Sequence, residues 1–291
     1  MNLHLVDGTY ELFRAHFGAP NARSATGIEV GASRGLLRSL LNLLRDPDCT
    51  HVGVAFDHVI RSYRNDLFDG YKDGAGVEPE ILEQFPIAER VAAALGVVVW
   101  PMVEFEADDA IASAVTRFVD DERIDQIFIC SPDKDLAQCV RGERVVLHDR
   151  MRDRVIDEQG VHEKWGVGPG SIADLLALMG DTADGIPGIA RWGQKSSATL
   201  LAEYQNIESI PEDPGTWSVK ARGAQALATN LTAEREAALL YKELTTLRLD
   251  VPLTESLEDL EWRGARRGLM EQVGEEITDR GILERIDRWR D

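Results

Sequence analysis

Residues 51–57 read HVGVAFD, a short and mostly apolar run that ends in the carboxylate of Asp57. Such a run is typical of a strand buried on both faces of a parallel sheet. Working outward from it, further strand-like and helix-like stretches alternate. The strand-like runs lie at 3–6, 97–100, 126–130 and 144–148, and the helical stretches at 31–44, 80–95 and 107–119. This alternation predicts an α/β fold with a mostly parallel central sheet flanked by helices.

The pattern changes near residue 155, after which strand signals almost disappear. Helical segments are predicted at 160–165, 169–179, 195–204, 233–247 and 268–289. A loop at 181–193, rich in glycine and proline, joins two of them. The sequence therefore predicts an α/β domain over residues 1–155 and a helical domain over residues 156–291.

The charge balance is strongly acidic: 32 Lys and Arg against 51 Asp and Glu give a net charge of −19 over 291 residues. An acidic exterior is unfavourable for broad contact with DNA or an anionic membrane. No apolar run approaches the roughly 20 residues that a membrane helix needs, and the N-terminus lacks the basic region of a signal peptide. The three cysteines show no CxxC spacing. We therefore expect a cytoplasmic protein with no membrane partner.

Acidic residues recur at five separate places, three of which directly follow predicted strands. They are Asp7, Asp57, the group Glu106, Asp108 and Asp109, the pair Asp133 and Asp135, and the pair Asp181 and Asp184. Carboxyl ends of parallel strands meet at one edge, and clustered carboxylates repel one another unless a cation compensates them. Oxygen ligands without His or Cys favour Mg²⁺ or Mn²⁺, and two such ions are suited to phosphodiester hydrolysis.

Each acidic place also has a simpler explanation. An Asp after a strand is commonly a helix N-cap, and acidic residues at 106–109 suit the first turn of a helix without any metal. The aspartates beside Lys134 fit an ordinary capped turn, and those at 181 and 184 fit a loop. Because five such coincidences would be needed together, we favour the metal site.

Several longer motifs occur in a fixed order along the chain. They are VDGTYELFRAHF (6–17), AFD (55–57), YRNDLFDGYK (63–72), EADD (106–109), SPDKDLAQ (131–138), LALMGDTADGIPGI (176–189) and GQKSSATLL (193–201). Over about residues 3–247 the chain thereby resembles the 5′-3′ exonuclease domain of bacterial DNA polymerase I, a branch of the flap endonuclease family. No polymerase domain follows Asp291, so a stand-alone member or an excised domain is expected.

The resemblance implies a PIN- and flap-endonuclease-like core that cuts 5′ flaps, nicked duplexes or RNA primers with two divalent ions. All nine carboxylates carry over as metal ligands, and Asp57 joins Lys72 and Arg14 as the catalytic set. Lys72 matches a lysine that contacts the scissile phosphate at the base of a short helical arch, here at about 64–82. If this segment is helical, Arg64 and Tyr71 share its face and are expected to bind DNA. For Arg14 the alternative is a salt bridge, and for Tyr71 it is packing.

The helical domain resembles the family's helix-three-turn-helix duplex clamp, here at about residues 170–204. Gly188, Gly193 and Lys195 are then expected to contact DNA phosphates, and the resemblance also implies a K⁺ ion in this loop. Two departures stand out. A family glycine is lost where Arg191 and Trp192 enter, which argues against the K⁺ site and leaves Arg191 as a phosphate contact or a turn filler. The acidic stretch 73–80 replaces a basic strip, which weakens any clamping of a free 5′ end.

Two other functions remain open at this point. The acidic stretch and the −19 charge fit a DNA-structure-binding paralogue with weakened catalysis. The string DGT would fit a phosphohydrolase with Asp7 as nucleophile, but Thr9 occupies the position of the acid which that chemistry needs. The nuclease is the preferred function, with DNA as partner, a possible polymerase as functional partner, a monomeric state and a nucleoid-associated location.

Overall fold

The structure is a computed structural model that describes residues 1–290. Its strands are β1 (Asn2–Asp7), β2 (Cys49–Asp57), β3 (Val98–Met102), β4 (Gln126–Cys130), β5 (Val145–Asp149), β6 (Arg154–Ile156), β7 (Ala265–Arg266) and β8 (Trp289–Arg290). Its α-helices are α1 (Gly8–Gly18), α2 (Gly31–Leu44), α3 (Arg64–Leu67), α4 (Pro79–Leu82), α5 (Phe85–Ala94), α6 (Ala107–Phe118), α7 (Glu158–Trp165), α8 (Ile172–Met179), α9 (Gln194–Tyr204), α10 (Ala224–Ala233), α11 (Arg235–Thr245), α12 (Leu257–Leu260) and α13 (Arg267–Glu276). Short 3-10 turns lie at Asp135–Cys139, Pro169–Ser171, Ile207–Ser209, Pro214–Thr216 and Arg280–Arg285.

The chain divides into two compact units. The first unit contains Met1–Ser62, Gly74–Ser131 and the chain from Arg248 onward, and the second contains Tyr63–Asp73 and Pro132–Leu247. Both units are thus built from segments that are not contiguous in sequence. The predicted domain boundary at 155/156 stays a prediction.

The first unit is built around four parallel strands in the order β3, β2, β1, β4. The register pairs Asp7 with Ala55 and Asp57 with Met102, so the acidic residues that end β1 and β2 lie at the same edge of the sheet. Helices α2 and α5 pack on each other and on β2, while α6 packs on β1, β2 and β3. The predicted α/β class with a mostly parallel sheet flanked by helices is confirmed.

The core of the first unit is aliphatic. Leu36, Leu40, Val54, Val91 and Met270 are all fully buried within it. Burial of each such side chain contributes about 1.5–3 kcal/mol relative to leaving it in water. The α13 helix joins this core although it lies far along the chain, packing on α5.

The second unit is mainly helical, with β5 and β6 forming an antiparallel hairpin. Helix α8 packs against both α9 and α11. Helix α8 and the loop after it lead into α9, so a helix-loop-helix occupies the predicted clamp segment. Gly180 and Gly188 both have positive φ, and a Cβ on Gly188 would collide with the backbone at Met179 and Gly180. Glycine at 188 therefore lets the loop fold closely onto the end of α8.

Two predicted helices are wrong in extent. The helix predicted over 80–95 is two helices, α4 and α5, because Pro86 has no N–H to donate to the preceding turn. The helix predicted over 268–289 ends at Glu276. Thr278 follows with φ of +54°, a left-handed conformation that no helix continues.

Candidate active site

The carboxylates of the first unit are held in place by helix-capping and hydroxyl hydrogen bonds. Asp7 is buried, and its Oδ1 accepts from the Tyr10 N–H at 2.8 Å at the start of α1. Its Oδ2 accepts from the Ser131 hydroxyl at 2.9 Å, directly after β4. Asp57 Oδ1 accepts from the Ala107 N–H at 2.7 Å, where α6 begins. The N-cap role that the sequence left open is therefore present for Asp7. Asp57 instead accepts from the first residue of α6, a helix whose own N-cap is Glu106. These bonds orient both carboxylates.

The three acidic residues at 106–109 differ in their hydrogen-bond partners and burial. Glu106 is buried and accepts from the Ser62 hydroxyl at 2.6 Å. Asp109 is fully buried, and both its oxygens accept from backbone N–H groups, those of Glu106 at 3.0 Å and Arg248 at 2.9 Å. These bonds agree with the simpler explanation for Asp109, an acidic residue that caps the first turn of α6. Asp108 lies in the same turn and is half-buried.

Arg14, predicted to act near the reaction centre, is bound to other side chains of the first unit. Its guanidinium pairs with Glu11 and donates to the Ser39 hydroxyl at 3.0 Å, and that hydroxyl donates to Glu11 at 2.7 Å. Glu11 is buried. The salt-bridge alternative for Arg14 is thus present, and the catalytic role stays a prediction.

The second unit contains a cluster of three carboxylates suited to a metal ion. One oxygen each from Asp135, Asp181 and Asp184 lies within 4.8 Å of the others. Asp133 borders the cluster, because its Oδ1 accepts from the Asp135 N–H at 2.9 Å. Asp181 is fixed by a reciprocal backbone pair with Ile186, whose two bonds measure 2.8 and 2.7 Å. Three carboxylates of this unit therefore lie together with Asp133 next to them, and their role as metal ligands stays a prediction.

Asp135 is the most perturbed member of this cluster. Burial, together with the negative charges of Asp133 and Asp184, raises the pKa of its carboxyl well above the ordinary value. Its Oδ1 is buried and has no hydrogen-bond partner among residues 1–290. A buried carboxylate oxygen without a donor costs free energy unless a cation or proton compensates it. The donor set is oxygen only, which fits Mg²⁺ or Mn²⁺.

Two lysines contact the same cluster. Lys72 Nζ lies 2.9 Å from Asp184 Oδ1, and Lys134 Nζ lies 2.5 Å from Asp181 Oδ2. Burial by itself lowers the pKa of Lys134, but Asp181, Asp135 and Asp133 outweigh it, so the pKa is raised and the ammonium stays charged. Sequence reasoning missed Lys134 as part of the site. The signal was its position between two predicted ligands.

The position of Lys72 depends on backbone contacts. Its N–H donates to the Asp184 carbonyl at 3.0 Å, and Asn65 Nδ2 donates to its carbonyl at 3.0 Å. Gly185 has φ of +74°, and a Cβ there would collide with the Gly70 carbonyl oxygen. Only glycine allows this close approach, so Gly185 and Asn65 hold Lys72 beside Asp184. Sequence reasoning also missed Asn65, for which no local signal exists.

The helical premise for Arg64 and Tyr71 is wrong, because α3 ends at Leu67 and Phe68 is extended. Arg64 is buried, and its guanidinium donates to the carbonyls of Leu244 at 2.7 Å and Thr246 at 3.2 Å. Tyr71 is buried in a small apolar cluster with Ile186 and Leu244. Neither side chain is at the surface in this structure. The burial of Tyr71 agrees with the packing role considered as its alternative. Contact with DNA by Arg64 or Tyr71 stays a prediction.

The loop between α8 and α9, together with the first turn of α9, is called the clamp loop below. Some of its predicted DNA-binding residues are exposed to solvent and others are buried. Arg191, Gly193 and Lys195 are exposed, with Gly193 directly before α9 and Lys195 in its first turn. Trp192 is buried, and its Nε1 donates to the Leu227 carbonyl at 3.1 Å. Trp192 therefore packs inside the second unit. Gly188 is buried, and its expected phosphate contact stays a prediction.

Comparison with known proteins now identifies the family. Residues 2–166 match the N-terminal resolvase-like domain of the 5′-3′ exonucleases, and residues 167–268 match their C-terminal SAM fold. The chain belongs to the 5′-3′ exonuclease family, as the motifs predict.

Relatives cover the chain almost completely. DNA polymerase I of Bacillus caldotenax is 30% identical over 98% of this chain, but the chain spans only 32% of that protein. The 5′-3′ exonuclease of Aquifex aeolicus is 29% identical over 98% of this chain and 95% of its own length. The chain thus spans about a third of its DNA polymerase I relatives and nearly all of one shorter relative.

The fold is shared with a solved phage enzyme. A bacteriophage T5 flap endonuclease, in a pseudo-enzyme-product complex with DNA and metal ions, superposes with a TM-score of 0.65 over 98% of this chain and 99% of its own. The identity is 20%, so the likeness establishes the fold. Within residues 1–290, no helix is both long and apolar enough to cross a membrane.

Proposed function

We propose that this chain is a divalent-metal-dependent 5′ nuclease that cuts 5′ flaps and nicked or branched duplexes. The observation that carries the proposal is the Asp135, Asp181 and Asp184 cluster, with a buried, unpartnered Asp135 oxygen and Lys72 beside it. Family membership gives this cluster its context. Flap cleavage and 5′-3′ exonuclease action are both included, and RNA primers are a further candidate substrate.

The second-unit cluster would hold one ion, and Asp7, Asp57, Glu106 and Asp108 of the first unit are the candidate ligands of another. Divalent ions lower the pKa of a water nucleophile and neutralise charge that develops on a phosphate. Asp109 is less suited, because backbone N–H groups already use both its oxygens.

Lys72 contributes a fixed positive charge beside the cluster. Its side chain is about one-third exposed, so a phosphate can reach the ammonium while Asp184 orients it. A compact ammonium stabilises the extra negative charge of a phosphoryl transition state. We assign this role to Lys72, and a positioning role to Asn65.

The clamp loop is the proposed duplex contact. Arg191, Gly193 and Lys195 lie exposed around the start of α9, where free N–H groups and the helix dipole favour phosphate. We also propose that the protein is monomeric and cytoplasmic and works alongside a DNA polymerase.

The test is cleavage of a labelled 5′-flap duplex with Mg²⁺ or Mn²⁺ by wild type and Asp135→Asn. We expect wild type to cut near the junction and Asp135→Asn to lose roughly a hundredfold or more in rate, the scale on which loss of a group stabilising transition-state charge is felt. Glu236→Gln, an exposed carboxylate of the same unit, is the matched control and should cut at the wild-type rate.

Two outcomes would contradict the proposal. Equal cleavage by wild type and Asp135→Asn would exclude the cluster from the reaction. Tight flap binding by wild type with no cleavage at any metal concentration would support the DNA-binding paralogue with weakened catalysis, which the acidic stretch 73–80 also suggests.

A further inference from the structure

A basic hairpin in the second unit has no role in the site described above. Residues 150–154 read Arg-Met-Arg-Asp-Arg and form the turn and outgoing strand between β5 and β6. Arg152 and Arg154 are exposed, and Met151 beside them is 62% exposed. With Asp149 and Asp153 included, residues 149–154 remain slightly positive in a chain with a net charge of −19.

Asp149 accepts hydrogen bonds across the turn that presents these arginines. One oxygen of Asp149 accepts from the N–H groups of Met151 at 3.1 Å and Arg152 at 3.2 Å. The other accepts from the Arg152 guanidinium at 2.9 Å. Burial opposes ionisation of Asp149, but the bonds from Arg152 outweigh it and lower its pKa. Arg154, by contrast, points to solvent at the start of β6.

Lys164, at the end of α7, extends the same positive surface. Its ammonium lies 4.2 Å from the centroid of the buried Trp165 ring, so the aromatic face positions it. Burial, followed by the positive charges of Arg154 and Arg152, lowers the pKa of Lys164, although Asp149 and Asp133 act in the opposite direction. The same proximity follows from the packing, because α7, which contains Lys164, contacts β6, which begins at Arg154.

This surface is also adjacent to the clamp. Gln194, the first residue of α9, donates from its side chain to the Lys164 carbonyl at 3.3 Å, and Lys195 follows it. Asp149 compensates Arg152 in part, whereas Arg154 and Lys164 repel each other in the free protein, and a bound polyanion relieves that repulsion. Elsewhere the acidic exterior opposes DNA, so a local basic surface has a disproportionate effect.

We infer that Arg152, Arg154 and Lys164 form a second phosphate-binding surface, which contacts the sugar-phosphate backbone of the same duplex held by the clamp loop. The inference rests on the proposed function, because it takes the ligand to be a nucleic acid. The surface reads no bases: its guanidinium and ammonium groups suit phosphate oxygens. This surface should increase the affinity for the duplex and make that affinity more dependent on salt concentration.

The test is equilibrium binding of a fluorescent 5′-flap duplex, with Ca²⁺ replacing Mg²⁺ to suppress cleavage, at several KCl concentrations. The variant is Arg154→Gln with Lys164→Gln, which leaves the Asp149–Arg152 pair intact. Loss of two phosphate contacts should raise Kd about 5- to 30-fold near physiological salt and reduce the slope of log Kd against log salt by about 2. Arg263→Gln with Arg280→Gln removes the same charge from the first unit and should match wild type in both quantities.

The outcomes separate this inference from the proposed function. If wild type binds and cleaves the flap but the hairpin variant keeps the wild-type Kd and slope, the second surface is wrong and the nuclease stands. If the control variant weakens binding equally, net charge explains the effect and the inference falls. If wild type does not bind the duplex, both proposals fail. A thermal unfolding midpoint checks that the double variant folds, and Arg154→Gln alone serves if it does not.

Discussion

Lys134 pairs with Asp181 at 2.5 Å and lies between Asp133 and Asp135 in sequence, so its ammonium already compensates part of the acidic cluster. A divalent ion that binds Asp181 must compete with this charge. At the scale of the residue, we therefore expect Lys134 to weaken the affinity of the cluster for a divalent ion.

We predict that Lys134→Met binds Mn²⁺ about 5- to 10-fold more tightly than wild type, since removing a positive charge a few ångströms from a cation site contributes on the order of 1 kcal/mol. The metal-free variant should also be less stable, because Asp181 loses its partner. Isothermal calorimetry and thermal unfolding measure the two effects. Lys220→Met, an exposed lysine of the same unit, is the control. Weaker Mn²⁺ binding by Lys134→Met would contradict the prediction and would mean that Lys134 holds the Asp181 carboxylate in position for the ion.

The raised pKa of Asp135 makes metal stabilisation depend on pH. A carboxyl whose pKa is higher in the folded than in the unfolded state stabilises the fold below the unfolded value. That stability is lost as pH rises through the folded pKa. Metal needs the ionised form, so it should restore stability mainly at higher pH.

We therefore predict that Mn²⁺ raises the unfolding temperature more at pH 8 than at pH 5. In Asp135→Asn the difference between the two pH values should shrink. Differential scanning fluorimetry with and without metal provides the measurement. An Mn²⁺-induced shift of the same size at both pH values in wild type would mean that Asp135 is not a titrating ligand.

At the scale of elements, Arg64 joins the segment before Lys72 to the end of α11. Its guanidinium replaces the missing helical partners of the last carbonyls, those of Leu244 and Thr246. The sequence indicated a DNA contact because Arg64 lies eight residues before Lys72. That inference needed a helix, and the chain instead turns after Leu67.

We predict that Arg64→Met lowers the free energy of unfolding by about 2–4 kcal/mol, because buried carbonyls lose charged donors while the apolar stem is kept. Urea denaturation measures this, with Arg222→Met as an exposed control in the same unit. Weaker flap binding at unchanged stability would instead support the DNA contact that the sequence indicates.

At the scale of the whole molecule, the charge balance limits how DNA is held. The sequence indicated nine of the 51 acidic residues as candidate metal ligands, and without these nine the acidic residues still exceed the 32 basic ones by 10. Metal ligation by all nine would therefore account for only part of the acidity. The remaining acidic groups oppose DNA wherever basic residues do not offset them.

We predict that duplex binding depends strongly on metal. Removing divalent ions with EDTA should raise the Kd for a 5′-flap duplex at least about tenfold at physiological salt, because unscreened carboxylates then repel the phosphates. Fluorescence anisotropy with Ca²⁺ and with EDTA gives both values. Tight binding by the metal-free protein at that salt concentration would contradict this account of the charge.

Local pattern predicts a large part of the molecule. The apolar runs ending at Asp7 and Asp57 mark β1 and β2, and the acidic turn before α6 marks its start, because burial periodicity and capping act over a few residues. The order of motifs also predicts the family. The sequence also contains the signal that separates α4 from α5, because Pro86 cannot donate a hydrogen bond to the preceding turn of a helix.

The sequence by itself thus determined the alternation of strands and helices, the positions of the acidic residues and the excess of negative charge. Only the tertiary structure decided which partner each charged group takes. It gave Asp109 two backbone donors, buried Arg64 and left an Asp135 oxygen without one among residues 1–290. The reason is physical: an ionised side chain is stabilised by the hydrogen-bond partners that folding brings within a few ångströms. Some of these partners are remote in sequence: the Arg248 N–H reaches Asp109 from 139 residues away, and the Leu244 carbonyl reaches Arg64 from 180 residues away.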